Sequence, residues 1–149
     1  QRRAFALEAV RRAHAAGALV LINGEPELAR ASGADGLHLP ALQLAACGAR
    51  PDFPWVGASC RTRAELERAA ALGLDYAVLG AVKATPTHPD AVPLGWDGFA
   101  DLSATPPLPL FALGGLDLAE EGSDMRKARM AGAHGIAAIR SAWNGDDED

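Results

Sequence analysis

Apolar residues along this chain gather into short runs, and the polar stretches between them close on glycine or proline. Six runs of four to six residues stand out, at 18–22, 36–39, 55–59, 76–79, 108–113 and 135–139. Their length and their Val, Ile, Leu and aromatic content predict buried strands. Between the runs the spacing becomes helical. Residues 2–16 carry Phe5, Leu7, Ala9, Val10 and Ala13, with Arg2, Arg3, Glu8, Arg11 and Arg12 mostly elsewhere, and Gly17 is a stop. Further helices are expected over about 26–32, 41–47, 62–72 and 97–102, and over a charged stretch ending near Met130. Thr62 is a good N-cap, and Glu65 completes a capping box with it.

Three helix ends rhyme: Ser32-Gly33-Ala34-Asp35-Gly36, Leu72-Gly73-Leu74-Asp75-Tyr76 and Ala131-Gly132-Ala133-His134-Gly135. Each reads as a left-handed glycine stop, a tight turn and an apolar strand. Strands alternating with helices through short connections imply an α/β fold of parallel βα units. The right-handed crossover rule leaves an open doubly wound sheet or part of a (β/α)8 barrel. No Gly-x-Gly-x-x-Gly follows an early strand, whereas Gly114-Gly115 follows the fifth. In barrels the loops after the last strands bind phosphate through backbone N–H groups, so the pattern favours the barrel.

Composition narrows the partners. A chain of 149 residues, 49% hydrophobic, is enough for one core; residues 1–145 form one domain and 146–149 an acidic tail. A net charge of −5 without a Lys/Arg cluster argues against nucleic acid, and no apolar run is long enough to span a membrane. The amino terminus does not read as a signal peptide. Cys47 and Cys60 lack metal spacing and read as free thiols in a reducing cytoplasm. The chain starts at Gln1 inside a helix, as a fragment of something longer would. Candidate chemistry centres on 76–95, where a buried strand runs into a loop carrying Thr85, Pro86, Thr87, His88 and Pro89. Prolines shape such a loop, threonines supply donors without fixed charge, and loops after parallel strands hold ligands.

These motifs resemble a known family. Leu21-Ile22-Asn23, Gly33-Ala34-Asp35-Gly36-Leu37-His38-Leu39, Val56-Gly57-Ala58-Ser59, Gly80-Ala81-Val82 with Thr85-Pro86-Thr87, Pro93-Leu94-Gly95, Gly114-Gly115 and Gly132-Ala133-His134-Gly135 follow one collinear register. In that register they look like the strand-end motifs of the thiamine phosphate synthase/TenI superfamily. The likeness is nearest to TenI-like domains that follow a Nudix hydrolase in bacterial fusion proteins. It implies a parallel (β/α)8 TIM-type barrel, incomplete here with its first two strands missing, and a fused Nudix domain upstream. It also implies a transferase that joins a pyrimidine diphosphate to a thiazole phosphate and releases pyrophosphate. The alternative is a non-catalytic phosphate-ligand-binding domain accompanying a Nudix, 8-oxo-dGTP diphosphatase-like hydrolase.

By the resemblance, Thr85 and Thr87 hold the leaving pyrophosphate and Asn23 and Ser59 are polar residues at the same substrate. Gly114, Gly115 and the backbone of Ile139 and Arg140 cradle the thiazole phosphate. Preorganised donors of this kind stabilise departing charge. The chain also departs from the pattern: Gly24 and Gln43 stand where the family's magnesium carboxylates would be, leaving Mg2+ only the substrate pyrophosphate, or Glu25 and Glu27 nearby. His88 replaces a usual lysine, and Arg61 stands at the position of the TenI-type tautomerase histidine. An arginine holds phosphate but shuttles no proton at neutral pH. His14, on the first helix, His134, in a turn, and His38, inside a strand, are read as structural.

Overall fold

The computed structural model describes residues 1–86, 89–104, 108–119, 123–139 and 142. Helices and strands alternate along it: α1 (Arg2–Ala15), β1 (Leu21–Asn23), α2 (Pro26–Ser32), β2 (Gly36–Leu39), α3 (Ala41–Ala46), β3 (Trp55–Cys60), α4 (Arg63–Ala71), β4 (Tyr76–Leu79), α5 (Gly95–Ser103), β5 (Leu110–Leu113), α6 (Ser123–Met130) and β6 (Gly135–Ala137). The six strands form one sheet in the order β1-β2-β3-β4-β5-β6, and every neighbouring pair is parallel. This is a (β/α)8-type barrel with six of its βα units, as the glycine pattern and the family resemblance implied.

The register shows the stagger of a barrel wall. Asn23, the last residue of β1, lies level with His38, His38 with Gly57, and Gly57 with Tyr76, the first residue of β4. Alternation within each strand sorts the side chains. Leu37, Leu39, Val56, Ala58, Cys60, Ala77, Leu79, Leu110 and Ala112 are buried in one core with Leu44, Leu66, Phe99 and Ala128 of the helices. Full burial of a leucine such as Leu44 or Leu66 contributes about 1.5–3 kcal/mol. The alternate residues His38, Ser59, Tyr76, Val78 and Phe111 are half-buried and face the inside of the curve.

Thr62 caps α4 through a bond from the Glu65 N–H at 3.2 Å, while Glu65 Oε1 takes the Arg61 N–H at 3.3 Å and the Thr62 hydroxyl at 3.0 Å. The reciprocal bond of the box thus falls one residue earlier than expected. Two other expectations are corrected. The first strand begins at Leu21 rather than at 18, because the Ala18 N–H closes the end of α1 on Ala13 O at 2.8 Å. The stripe expected on α1 is only partly its buried face: Val10 is buried, with Ala6 beside it, and Ala9 and Ala13 are half-buried, while Phe5 is 77% and Leu7 45% exposed. The main packing partner of this helix is α2. No helix among the described residues is long and apolar enough to cross a membrane. The acidic tail, 146–149, lies outside the described residues.

Candidate functional site

Three side chains from three strands meet on the inner face. His38 Nε2 lies 2.8 Å from Ser59 Oγ, and His38 Nδ1 lies 2.8 Å from the Tyr76 hydroxyl. Leu37 and Leu39 occupy the outer face, so the pleat turns His38 inward. The Tyr76 ring crosses Gly57, where a Cβ would fall 2.0 Å from ring carbon Cζ, and it stands edge-on to Phe111 with centroids 5.8 Å apart. Burial pushes His38 below its ordinary pKa and the Tyr76 hydroxyl up to about 12, with Asp75 adding to the latter. A neutral imidazole has one donor and one acceptor, so one hydroxyl donates to His38 and the other accepts from it. His38, read as structural from its place in a strand, therefore belongs to the candidate site. The signal was the alternation of strand 36–39, which leaves its histidine facing away from two leucines.

Above this layer the loops after β4 and β5 zip together. The Val82 N–H donates to Leu113 O at 2.8 Å and the Lys83 N–H to Gly114 O at 3.1 Å, prolonging the parallel pairing beyond the strands. The Gly80-Ala81 peptide is cis. Gly114 has φ +112°, and a Cβ there would fall 2.6 Å from Ala81 Cβ and 2.9 Å from Val82 N. Only glycine allows both that backbone and that approach. The Leu94 and Gly95 N–H groups return to Ala81 O and Val82 O at 2.8 and 2.9 Å, closing the threonine loop at its base.

The other expected residues take their places around this ridge. Asn23 is exposed at the end of β1. Arg61 is exposed directly after β3, and Thr85 is half-buried in the β4–α5 loop. Gly115 follows Gly114 at φ +66°, and Ile139, 66% exposed, lies just beyond β6. Thr87, His88 and Arg140 lie outside the described residues. Asn23, Ser59 and Gly114 thus stand at or next to the carboxyl ends of their strands, and Thr85 in the loop that leaves the carboxyl end of β4, the end where barrels carry their ligands.

The two positions that the resemblance assigned to magnesium carboxylates do come together, but they are unsuited to a metal. Gln43 Nε2 donates to Gly24 O at 3.0 Å, a neutral amide contact with no anionic ligand. The neighbouring carboxylates are already paired, Glu25 with Arg2 and Glu27 with Arg30. Among the described residues no cluster of three or more His, Cys, Asp or Glu could hold a metal ion. Gly24 and Gln43 themselves offer Mg2+ no carboxylate.

Known proteins match this chain. The family model for thiamine monophosphate synthase, TMP-TENI, matches residues 1–142. A thiamine-phosphate synthase of Thermosynechococcus vestitus is 35% identical over 136 residues, covering 89% of this chain and 38% of that protein. The corresponding protein of Chromobacterium violaceum is 38% identical over 150 residues, covering 98% of this chain and 69% of its own length. The chain thus spans well under half of the Thermosynechococcus relative. The fold matches the solved thiamine phosphate pyrophosphorylase of Pyrococcus furiosus with a TM-score of 0.74 at 23% identity, over 93% of this chain and 65% of the other. With a family match that runs nearly from end to end, the chain belongs to the thiamine monophosphate synthase (TMP-TENI) family.

Proposed function

We propose that this domain serves a thiamine phosphate synthase-like transfer, in which a thiazole phosphate displaces pyrophosphate from a pyrimidine diphosphate. One observation carries the reading. The threonine and glycine loops are joined backbone to backbone at the rim of an inner face where Ser59, His38 and Tyr76 are hydrogen-bonded together. Thr85 and Thr87 would hold the diphosphate, with His88 beside them. Gly114, Gly115, Ile139 and Arg140 would cradle the single phosphate, and Asn23, Ser59 and Arg61 would meet the reacting groups. Rate enhancement then comes from fixed donors aimed at the charge developing on the leaving group. Gly24 and Gln43 supply no metal carboxylate, so Mg2+ would arrive on the substrate pyrophosphate. The setting proposed is the cytoplasm, in keeping with the free thiols of Cys47 and Cys60.

The contact between Gln43 and Gly24 favours a second reading, a phosphate-ligand-binding domain without turnover that accompanies a Nudix hydrolase. Calorimetry and turnover on the full protein separate the two. Thiazole phosphate is expected to bind equally with and without Mg2+, and thiamine phosphate to form slowly. Gly24→Asp with Gln43→Asp should raise turnover and make it Mg2+-dependent. Asp tolerates the φ of +70° at position 24 better than most residues, and the Gln43 amide that a Cβ there would meet at 2.9 Å is removed by the second substitution. Binding without any turnover in both forms would establish the second reading. If neither thiazole phosphate nor pyrophosphate binds, both readings fail.

A further inference from the structure

Asp124, in the first turn of α6, has a buried carboxylate that joins both loops of the ridge. Lys83 Nζ reaches its Oδ1 at 2.9 Å and its Oδ2 at 3.1 Å, and Oδ2 also accepts the Asp117 N–H at 2.9 Å. Lys83 lies in the loop after β4, two residues before Thr85. Asp117 lies in the loop after β5, two residues beyond Gly115. One carboxylate therefore ties the threonine loop, the glycine loop and a helix. Burial pushes the Asp124 carboxyl up, but Lys83 and the Asp117 N–H outweigh it and hold the group below its ordinary range. The Lys83 side chain is 46% exposed and that of Asp124 only 7%. Losing the lysine would thus leave a buried charge short of a partner, a heavier loss than a surface pair implies. Packing points the same way, because a Cβ at Gly115 would lie 3.0 Å from Lys83 Cβ and 3.2 Å from Ala84 O. The two loops lie in contact where the pair closes over them.

We propose that Lys83 and Asp124 form a latch that fixes the threonine loop against the glycine loop, making them positioning residues for the two phosphate-bearing ends of the ligands. The proposal rests on the reading of both loops as phosphate-binding. Its rival makes Lys83 a direct cation for the diphosphate, which Asp124 merely stores. The two ideas predict opposite signs for one substitution. Asp124→Asn keeps an acceptor for the Asp117 N–H but releases Lys83, whereas Lys83→Met removes the cation.

The measurements are the affinity of the full protein for inorganic pyrophosphate and the amide exchange of residues 113–117. With a latch, both substitutions weaken pyrophosphate by about tenfold and both speed exchange at Asp117, while Lys83→Arg restores most of each. If Asp124→Asn instead binds pyrophosphate more tightly than the parent while Lys83→Met binds it less, Lys83 is a ligand and the latch is overturned. Unchanged exchange in both variants also overturns it, whatever pyrophosphate does. Should the parent fail to bind pyrophosphate while exchange still rises in both variants, the phosphate reading of the loops fails. The positioning role falls with it, and only the tie between the loops stands.

Discussion

The two ends of the strands are built on different plans. At the amino ends of β2, β4 and β6 the chain repeats one solution. After Gly33, Gly73 and Gly132, all at positive φ, the next N–H closes the helix on Ala29 O, Ala69 O and Ala128 O at 3.1, 3.1 and 2.9 Å. The following N–H then pairs with the start of the preceding strand, at Val20 O, Val56 O and Leu110 O, at 2.8, 2.8 and 2.7 Å. In two of the three turns the side chain adds a staple, Asp35 Oδ2 taking the Val20 N–H and Asp75 Oδ2 the Val56 N–H, each at 2.8 Å. At the carboxyl ends of β1, β3, β4 and β5 the contacts differ from strand to strand. One strand ends on an amide contact, one beside a Ser and His pair, one on a cis peptide, one on a glycine ridge. Repetition marks the end that holds the barrel together, and singular contacts mark the end available to a ligand.

The largest effect should come from breaking the inner face. Gly57→Ala would place a Cβ 2.0–2.5 Å from three atoms of the Tyr76 ring, so the ring must leave and take its hydroxyl from His38. Overpacking of this kind costs about 1–3 kcal/mol, and the upper part of that range is expected in a denaturant melt. The amino-end turns should keep their amide protection in the destabilised protein. Protection lost equally at both ends would mean that the ends are one cooperative unit, and the contrast drawn between them would be wrong.

This contrast also explains what was legible in the sequence. Glycine stops, the Thr62 cap and the strand runs are local signals, and the elements fell close to where those signals put them, the start of β1 excepted. The site was legible as a set of strand ends but not as contacts. His38 meets Ser59 and Tyr76 across 21 and 38 positions, and Lys83 meets Asp124 across 41. No periodicity encodes such pairings; they follow from strand register, and register depends on the whole sheet closing. Nothing local in the sequence marks Lys83 as half of a pair. Gly24 and Gln43 were legible only by resemblance, and their hydrogen bond only by geometry.

A second prediction separates the ends by pH. Burial keeps the folded pKa of His38 below its ordinary value of about 6.5. Its contribution to stability is therefore complete above that pH and is lost as pH falls through the folded value. Asp35 is held below the carboxylate range first by the Val20 N–H and then by His14. Its contribution is complete above about pH 4 and is lost only as pH falls through a still lower folded value. On acidification the inner face should loosen first, as pH falls below about 6.5, and the Asp35 turn only well below that. NMR of the His38 ring and of the Val20 amide follows the two events. In His38→Gln the earlier event should vanish. Simultaneous loss at both probes, or an early event that survives His38→Gln, would contradict the assignment.

The smallest effect tests whether the repeated turn is a transferable device. The third turn carries His134 where the other two carry aspartate, and its N–H already donates to Leu110 O as those of Asp35 and Asp75 donate to Val20 O and Val56 O. In both aspartate turns the residue whose carbonyl is used also returns its own N–H to the carboxylate. By the same geometry an aspartate at 134 would face the Leu110 N–H. His134→Asp should therefore stabilise the protein, by about 0.5–1.5 kcal/mol for one added hydrogen bond. For a chain of this size that is a rise in Tm of a few degrees, roughly 2–4 °C per kcal/mol. Asparagine supplies an acceptor without the charge and should give part of the gain. The aspartate gain should also disappear below about pH 4, as the new carboxylate protonates. If Tm falls or stays level in both variants, the likeness among the three turns stops at the backbone, and the staples at Asp35 and Asp75 owe their place to the strands they join rather than to the turn itself.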